Sequence, residues 1–189
     1  MEQPDQEFND VKDVIEGKEA FTWEDIDTIL AGNHDIRDKA LFAVLYLTNS
    51  RVSEIVGRLK KHQITHSSIG DKEFVIFEGL YTEKNALHPR RNIPINVEKE
   101  ASRLSVVNEY ISIFEPQDIL FDIGRHWAWA VIKRMSGERC HYLRHSRLTH
   151  LRVRYGLGID VLARMAGWQD ARMGMRYAHL SWHDIGMMM

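Results

Sequence analysis

One cysteine in 189 residues, Cys140, leaves no intrachain disulfide possible and excludes a thiolate-rich metal site. No apolar run approaches the roughly 20 residues that span a bilayer, and the polar start MEQPDQEFND is unlike a signal peptide. Internal repeats and low-complexity linkers are missing too, so nothing marks a second domain. Net charge is almost absent, a formal −2. Together these absences lead to the expectation of one soluble, cytoplasmic domain, long enough to bury a core. A composition of 44% hydrophobic and 28% charged residues is that of a globular chain.

What is present is an uneven charge. Residues 1–38 carry 12 Asp or Glu against three Lys or Arg, a balance of −9, while the rest of the chain carries 22 basic against 15 acidic residues, a balance of +7. An acidic leader over residues 1–20 followed by a basic body is compatible with nucleic-acid binding, because phosphate contacts depend on local clusters and not on the total. Lys133, Arg134, Arg139, Arg144, Arg147, Arg152 and Arg154 crowd into one such cluster. Within it, residues 141–156 read HYLRHSRLTHLRVRYG, with four arginines and three histidines. At about 100° per residue, His141, Arg144 and His145 share a helix side with Leu148, Leu151 and Tyr155, so the cations open the apolar stripe. Arginine in a first helical turn faces the positive end of the helix dipole, which an anion would relieve. Solvated charges at a helix end are the plain alternative.

Along the chain, TWED at 22–25 predicts a capping box and a helix that Gly32 stops. Residues 35–48 are apolar nearly all round, as for a helix at the centre of a core. A short helix is predicted over 52–58. The period then changes: EFVIFEGLYT (73–82) and RRNIPI (90–95) predict two antiparallel strands, with a further strand near 63–65. Helical patterns resume at 98–113, 127–135, 142–155, 159–166 and 170–180, with Gly156, Gly158 and Gly167 as punctuation. The predicted fold class is α+β, mainly α: a helical domain with a small antiparallel β-sheet.

Four separated pieces stand in a fixed order: TNSRVSEIV (48–56), TEKNALHPRRNIPI (82–95), HYLRHS (141–146) and AGWQDARMGMRYAHL (166–180). They match R-x-S-E-[LI], a lysine-bearing strand turn, H-x-x-R-H-[ST], and G-[HW] followed nine residues later by Tyr. In that order they resemble the catalytic domain of the tyrosine recombinases, the phage integrase family, over roughly residues 20–180. The resemblance implies a catalytic domain at 21–180 and an apolar tail at 181–189. It implies Arg51 and Arg144 as an arginine pair, Lys84, His141 and Trp168 beside them, and Tyr177 as nucleophile, with Glu54 and His145 in support. No metal or nucleotide cofactor is implied, since a phosphotyrosine intermediate conserves the bond energy. The implied partner is double-stranded DNA, with self-association on it into a tetrameric synapse.

Chemistry supports the residue types independently. Attack on a phosphodiester builds charge on the non-bridging oxygens, which two guanidiniums hold through paired N–H donors. Tyr177 must lose a proton of reference pKa near about 10, and an arginine-rich field favours its phenolate. His141 can accept or relay that proton, Lys84 can protonate a departing 5′-oxygen, and the Trp168 indole can donate to a phosphate oxygen.

Each residue also has a plainer reading. Arg51 could cap the preceding helix, Tyr177 and Trp168 could be core, Lys84 an exposed turn residue with Lys72 as its rival, and Cys140, a nucleophile beside His141 on one reading, an inert thiol. Glu54 reads as an orienting partner for an arginine, and His150 as a surface residue. Tyr142 and Tyr155 are the alternative nucleophiles.

The sequence departs from the family pattern where Asn49 and Ser50 replace the usual glycine and leucine, in a longer strand turn around Lys84, and in lacking a separate helical domain ahead of the catalytic one. That last departure predicts a fragment or a minimal recombinase with weaker binding. The competing functions are a type IB topoisomerase-like relaxer with the same tyrosine chemistry, a non-catalytic DNA-binding relic, and a metal hydrolase built on His141 and His145. No H-E-x-x-H motif accompanies that histidine pair.

Overall fold

A computed structural model describes residues 14–15, 18–83, 85–87, 89–170 and 172–173. Two short strands, β1 (Val14–Ile15) and β2 (Lys18–Glu19), pair antiparallel within the acidic leader. Helix α1 (Trp23–Ala31) starts on the expected capping box. The Thr22 hydroxyl accepts from the Asp25 amide at 3.1 Å and the Asp25 carboxylate accepts from the Thr22 amide at 2.9 Å. Helix α2 (Ile36–Thr48) is buried from Ala40 to its end, and the other elements assemble around it. It closes on Asn49 in the left-handed conformation, φ 52° and ψ 34°. Asparagine tolerates that conformation, so it replaces the family's glycine here without loss of the turn.

Helix α3 (Val52–Ile55) is shorter than the predicted 52–58, because Val56 turns extended and Gly57 left-handed. Strands β3 (Ile64–Ile69), β4 (Lys72–Tyr81) and β5 (Arg90–Asn96) form one antiparallel sheet in sequence order. The first of them runs well beyond the expected 63–65. Val75, Phe77, Ile93 and Ile95 point inward. Between the pairs Phe77↔Ile93 and Leu80↔Arg91, two residues of β4 oppose one of β5. This bulge, with Gly79 at φ 58°, keeps Leu80 inward and bends the strand end toward α3.

Four helices complete the described chain: α4 (Ala101–Ile111), α5 (Arg125–Ser136), α6 (Cys140–Val153) and α7 (Ile159–Ala166). The expected helix at 170–180 lies almost wholly outside the described residues. Among those residues, no helix is long and apolar enough to cross a membrane.

The core also holds charge. Glu100, fully buried, accepts from Arg103 Nη1 at 3.0 Å, from Arg147 Nη1, and from the Tyr155 hydroxyl at 2.5 Å. Arg147 lies over the Tyr46 ring at 4.9 Å, and Tyr46 meets His150 Nδ1 at 2.7 Å. His150 is therefore core, 0% exposed, and not the surface residue its composition suggests. A stripe drawn through His141, Arg144, His145, Leu148, Leu151 and Tyr155 also understates α6. Every residue from Ser146 to Leu151 is buried, because α2, α5 and α7 all pack on the helix.

Candidate active site

A cleft of about 670 Å³ opens between α3, α5 and the start of α6. Three of the expected residues line it: Arg51, His141 and Arg144. Arg51 does not cap the preceding helix α2, which closes on Asn49; it stands at the N-cap of α3, with its side chain 29% exposed toward the cleft. Arg51 is tied to Glu54: Nη1 donates to Oε1 at 2.9 Å and the backbone amide to Oε2 at 2.9 Å. Arg144 is 5% exposed and donates to two backbone carbonyls, Asn49 O and, at 2.7 Å, Ala166 O. Those carbonyls belong to the turn before Arg51 and to the end of α7, so one guanidinium is fixed against two of the four motif segments. His141 is exposed one turn before Arg144, and His145 lies half-buried one turn after His141.

Glu54 is 1% exposed and is the hub behind this pair. Besides Arg51 it accepts from Arg91 Nη2 at 2.9 Å and from the Glu83 amide at 3.0 Å. Burial alone would raise its carboxyl. The Arg91 guanidinium, the hydrogen bond from the Arg51 backbone and the field of Arg144 overcome that and hold it below the ordinary carboxylate range.

Lys84 and Tyr177 lie outside the described residues, as does the tail at 181–189. The neighbours of Lys84 are described and anchored. Glu83 donates its amide to Glu54 and accepts from the Ser53 hydroxyl at 2.8 Å, while Asn85 Nδ2 reaches Gly167 O and Trp168 O at 3.4 Å each. Lys72, its rival, opens β4 beside the β3–β4 turn, about 30 Å from Tyr81 at the rise of an extended strand. Trp168 follows Gly167 and packs half-buried on Leu148, Leu151 and Leu162; among the described residues it is not part of the cleft lining.

The basic crowd of the sequence divides. Lys133, Arg139 and Arg144 line the cleft. Arg134 pairs with Asp38 at 2.5 Å, Arg147 with Glu100, Arg152 donates to Leu157 O at 2.9 Å, and Arg154 covers the Trp23 ring at 5.0 Å. Sequence reasoning missed Arg125 and Trp129, which lie with Lys133 at i, i+4 and i+8 on the cleft side of α5. Trp129 is 52% exposed, and that helical spacing of two cations around an aromatic was the available signal. Glu83 and Arg91 were missed as well.

Neither Cys140 nor the alternative nucleophile Tyr155 is chemically suited to attack. Burial pushes the Cys140 thiol up to about 11, so it is not a thiolate at neutral pH. Burial also raises the Tyr155 phenol, against the lowering field of Arg147, and its hydroxyl is committed to Glu100. Tyr142 packs edge-on against Phe21, with ring centroids 4.7 Å apart.

The arrangement gathers two guanidiniums, an imidazole and further cations around a cleft at the start of a 14-residue helix that no side chain caps. Such a site is built for an anion whose charge grows during reaction.

The phage integrase family model matches residues 19–183. Tyrosine recombinase XerD of Neisseria meningitidis serogroup B (strain ATCC BAA-335 / MC58) is 30% identical over 160 residues, a match covering 78% of this chain and 52% of that protein. The chain thus spans about half the length of the curated relatives it matches. Among solved structures, XerH site-specific recombinase bound to difH substrate in a pre-cleavage complex superposes with a TM-score of 0.57 at 14% identity, covering 86% of this chain and 50% of XerH. The catalytic domain of bacteriophage HP1 integrase superposes at 0.54 with 22% identity, covering 85% of this chain and 86% of that domain. At such identities the likeness speaks for the fold.

Proposed function

The chain belongs to the phage integrase family, and from that premise we propose that it cleaves and rejoins double-stranded DNA through a covalent 3′-phosphotyrosine intermediate. The observation that carries the proposal is the convergence of Arg51, His141 and Arg144 on one cleft, with the residues flanking Lys84 anchored at its edge.

The scissile phosphate sits between Arg51 and Arg144, whose N–H donors stabilise the non-bridging oxygens as charge builds. The Tyr177 oxygen attacks phosphorus, forming the Tyr–O–P bond as the bond to the 5′-oxygen breaks. The phenolic proton passes to His141 or to water held by it, and Lys84 gives a proton to the departing 5′-oxygen. Trp168 contributes an indole N–H on the phosphate side. Because one phosphoester replaces another, a 5′-hydroxyl reverses the step and reseals the strand. Lys133, Arg139 and Arg125 contact the flanking phosphates. The apolar tail, with Leu180, Trp182 and Ile185, docks on a neighbouring protomer, so that the chain self-associates on DNA as a tetrameric synapse.

The test is incubation with a nicked suicide duplex, from which the 5′-hydroxyl fragment is lost after cleavage, followed by denaturing electrophoresis. Wild type traps a covalent protein–DNA adduct, and Tyr177→Phe binds the duplex but traps none. An adduct of undiminished yield in Tyr177→Phe overturns the assignment of the nucleophile.

A further inference from the structure

Arg91 lies in the 82–95 segment but is none of the residues to which the resemblance gives a role, yet it contacts the 48–56 and 82–95 segments and packs close to Gly167. It shares the inward face of β5 with Ile93 and Ile95, at 9% exposure. Nη2 donates to Glu54 Oε2 and to Ser50 Oγ, each at 2.9 Å, and Nη1 donates to Thr82 Oγ1 at 2.9 Å and toward Tyr81 O at 3.4 Å. Glu54 passes this on, since its Oε1 accepts from Arg51 Nη1 and from the Glu83 amide. The third segment arrives by close packing. A Cβ added to Gly167, which sits at φ 66°, would lie 2.4 Å from the Thr82 methyl and 3.0 Å from Arg91 Nη1. Only glycine lets the turn that leads into Trp168 approach this far.

We propose that Arg91 is the positioning residue of the site: its planar guanidinium sets the Arg51 side chain through Glu54, the turn carrying Lys84 through Thr82 and Glu83, and the seat of the Gly167–Trp168 turn. The catalytic part of this inference rests on the function proposed above, while the coupling between segments does not. Lysine retains the charge but cannot reproduce the role. One ammonium on a flexible stem has no fork with which to hold acceptors on two separate segments, Ser50 and Glu54 on one and Tyr81 and Thr82 on the other.

The experiment compares Arg91→Lys with Arg90→Lys, a control on the opposite, exposed face of the same strand. Hydrogen–deuterium exchange of the free protein is read over residues 49–56 and 79–92, beside single-turnover cleavage and affinity for the suicide duplex. In Arg91→Lys the Arg51 and Glu83 amides, both donors to Glu54, exchange about tenfold faster, the equivalent of a lost hydrogen bond to a charged group. Cleavage falls about 10²-fold, as for groups displaced by an ångström, with affinity unchanged. Arg90→Lys matches wild type in all three. Wild-type exchange in Arg91→Lys overturns the coupling, and a loss of affinity equal to the loss of rate makes Arg91 a DNA contact instead. Should Arg91→Lys not fold, Thr82→Val removes one acceptor without changing shape, and its predicted effect is a smaller change in the same direction; unchanged exchange and cleavage there overturn the proposal. Absence of cleavage by wild type would count against the proposed function alone, with the exchange data still deciding the role of Arg91.

Discussion

Arg144 and Arg147 stand three residues apart on α6, 5% and 1% exposed, and their guanidiniums end on different kinds of acceptor. Arg144 reaches the carbonyls of Asn49 and Ala166, whereas Arg147 reaches the carboxylate of Glu100 and the faces of Tyr46 and Tyr155. A carbonyl orients a guanidinium and leaves its formal charge in place; a carboxylate cancels it. The same residue type, one helical turn on, thus changes from a cation held by carbonyls beside a cleft to one member of a buried Arg103–Glu100–Arg147 cluster. Burial alone therefore does not separate Arg144, which the proposed function assigns to the reaction, from Arg147 in the core.

The comparison breaks most visibly at Arg147. Arg147→Met leaves Glu100 buried beside Arg103 with one fewer cation, and losing one partner of a buried pair costs about 3–5 kcal/mol. At about 2–4 °C per kcal/mol for a chain of this size, the thermal midpoint falls by about 6–20 °C. Calorimetry checks this, and a shift within error would mean that Arg103 alone compensates Glu100.

Glu100 sharpens it through pH. Burial raises its carboxyl, but Arg147, the Tyr155 hydroxyl and Arg103 outweigh burial and lower it. A depressed carboxyl contributes stability that is complete above its unfolded pKa of about 4.3 and is lost as pH falls through the folded value. Glu54, also lowered, adds in the same direction. Wild type should therefore lose stability below about pH 4.3. Glu100→Gln, less stable at pH 7, should lose less on the way down, narrowing the gap. Thermal midpoints between pH 7 and pH 3 test this, and a constant gap would contradict it.

The smallest effect belongs to the rim of the cleft. Lys133→Ala and Arg139→Ala should each reduce the slope of log affinity against log salt by about one, the signature of one phosphate contact fewer. Anisotropy titrations over a salt series measure it, and an unchanged slope removes that residue from the DNA path.

Much of this was legible in the sequence where local rules govern. The capping box at Thr22, the all-round apolar α2 and the alternating strands were all present in the pattern, because each depends on neighbours in the chain. Arg51, His141 and Arg144 were named by the resemblance to the family's motifs, and the structure brings those three to one cleft. His150 and Arg147 were misjudged or overlooked because periodicity assigns polar residues to water, whereas their partners, Tyr46 and Glu100, come from helices distant in sequence. Arg91 left one trace: in RRNIPI it alternates with Ile93 and Ile95, and a charge on the apolar face of a strand signals a buried partner. Which partner it was depended on Glu54, 37 residues earlier, and no local pattern carries that distance.

The central claim is that the Arg144 cation serves the reaction while the Arg147 cation serves the fold. Measured on the same samples, single-turnover cleavage of the suicide duplex and the thermal midpoint should separate for Arg144→Ala. Its cleavage should fall by about 10²–10³, the loss expected for one transition-state donor, while its midpoint stays above that of Arg147→Met. A cleavage rate that remains at the wild-type level, or that falls only in step with the midpoint, would contradict the account.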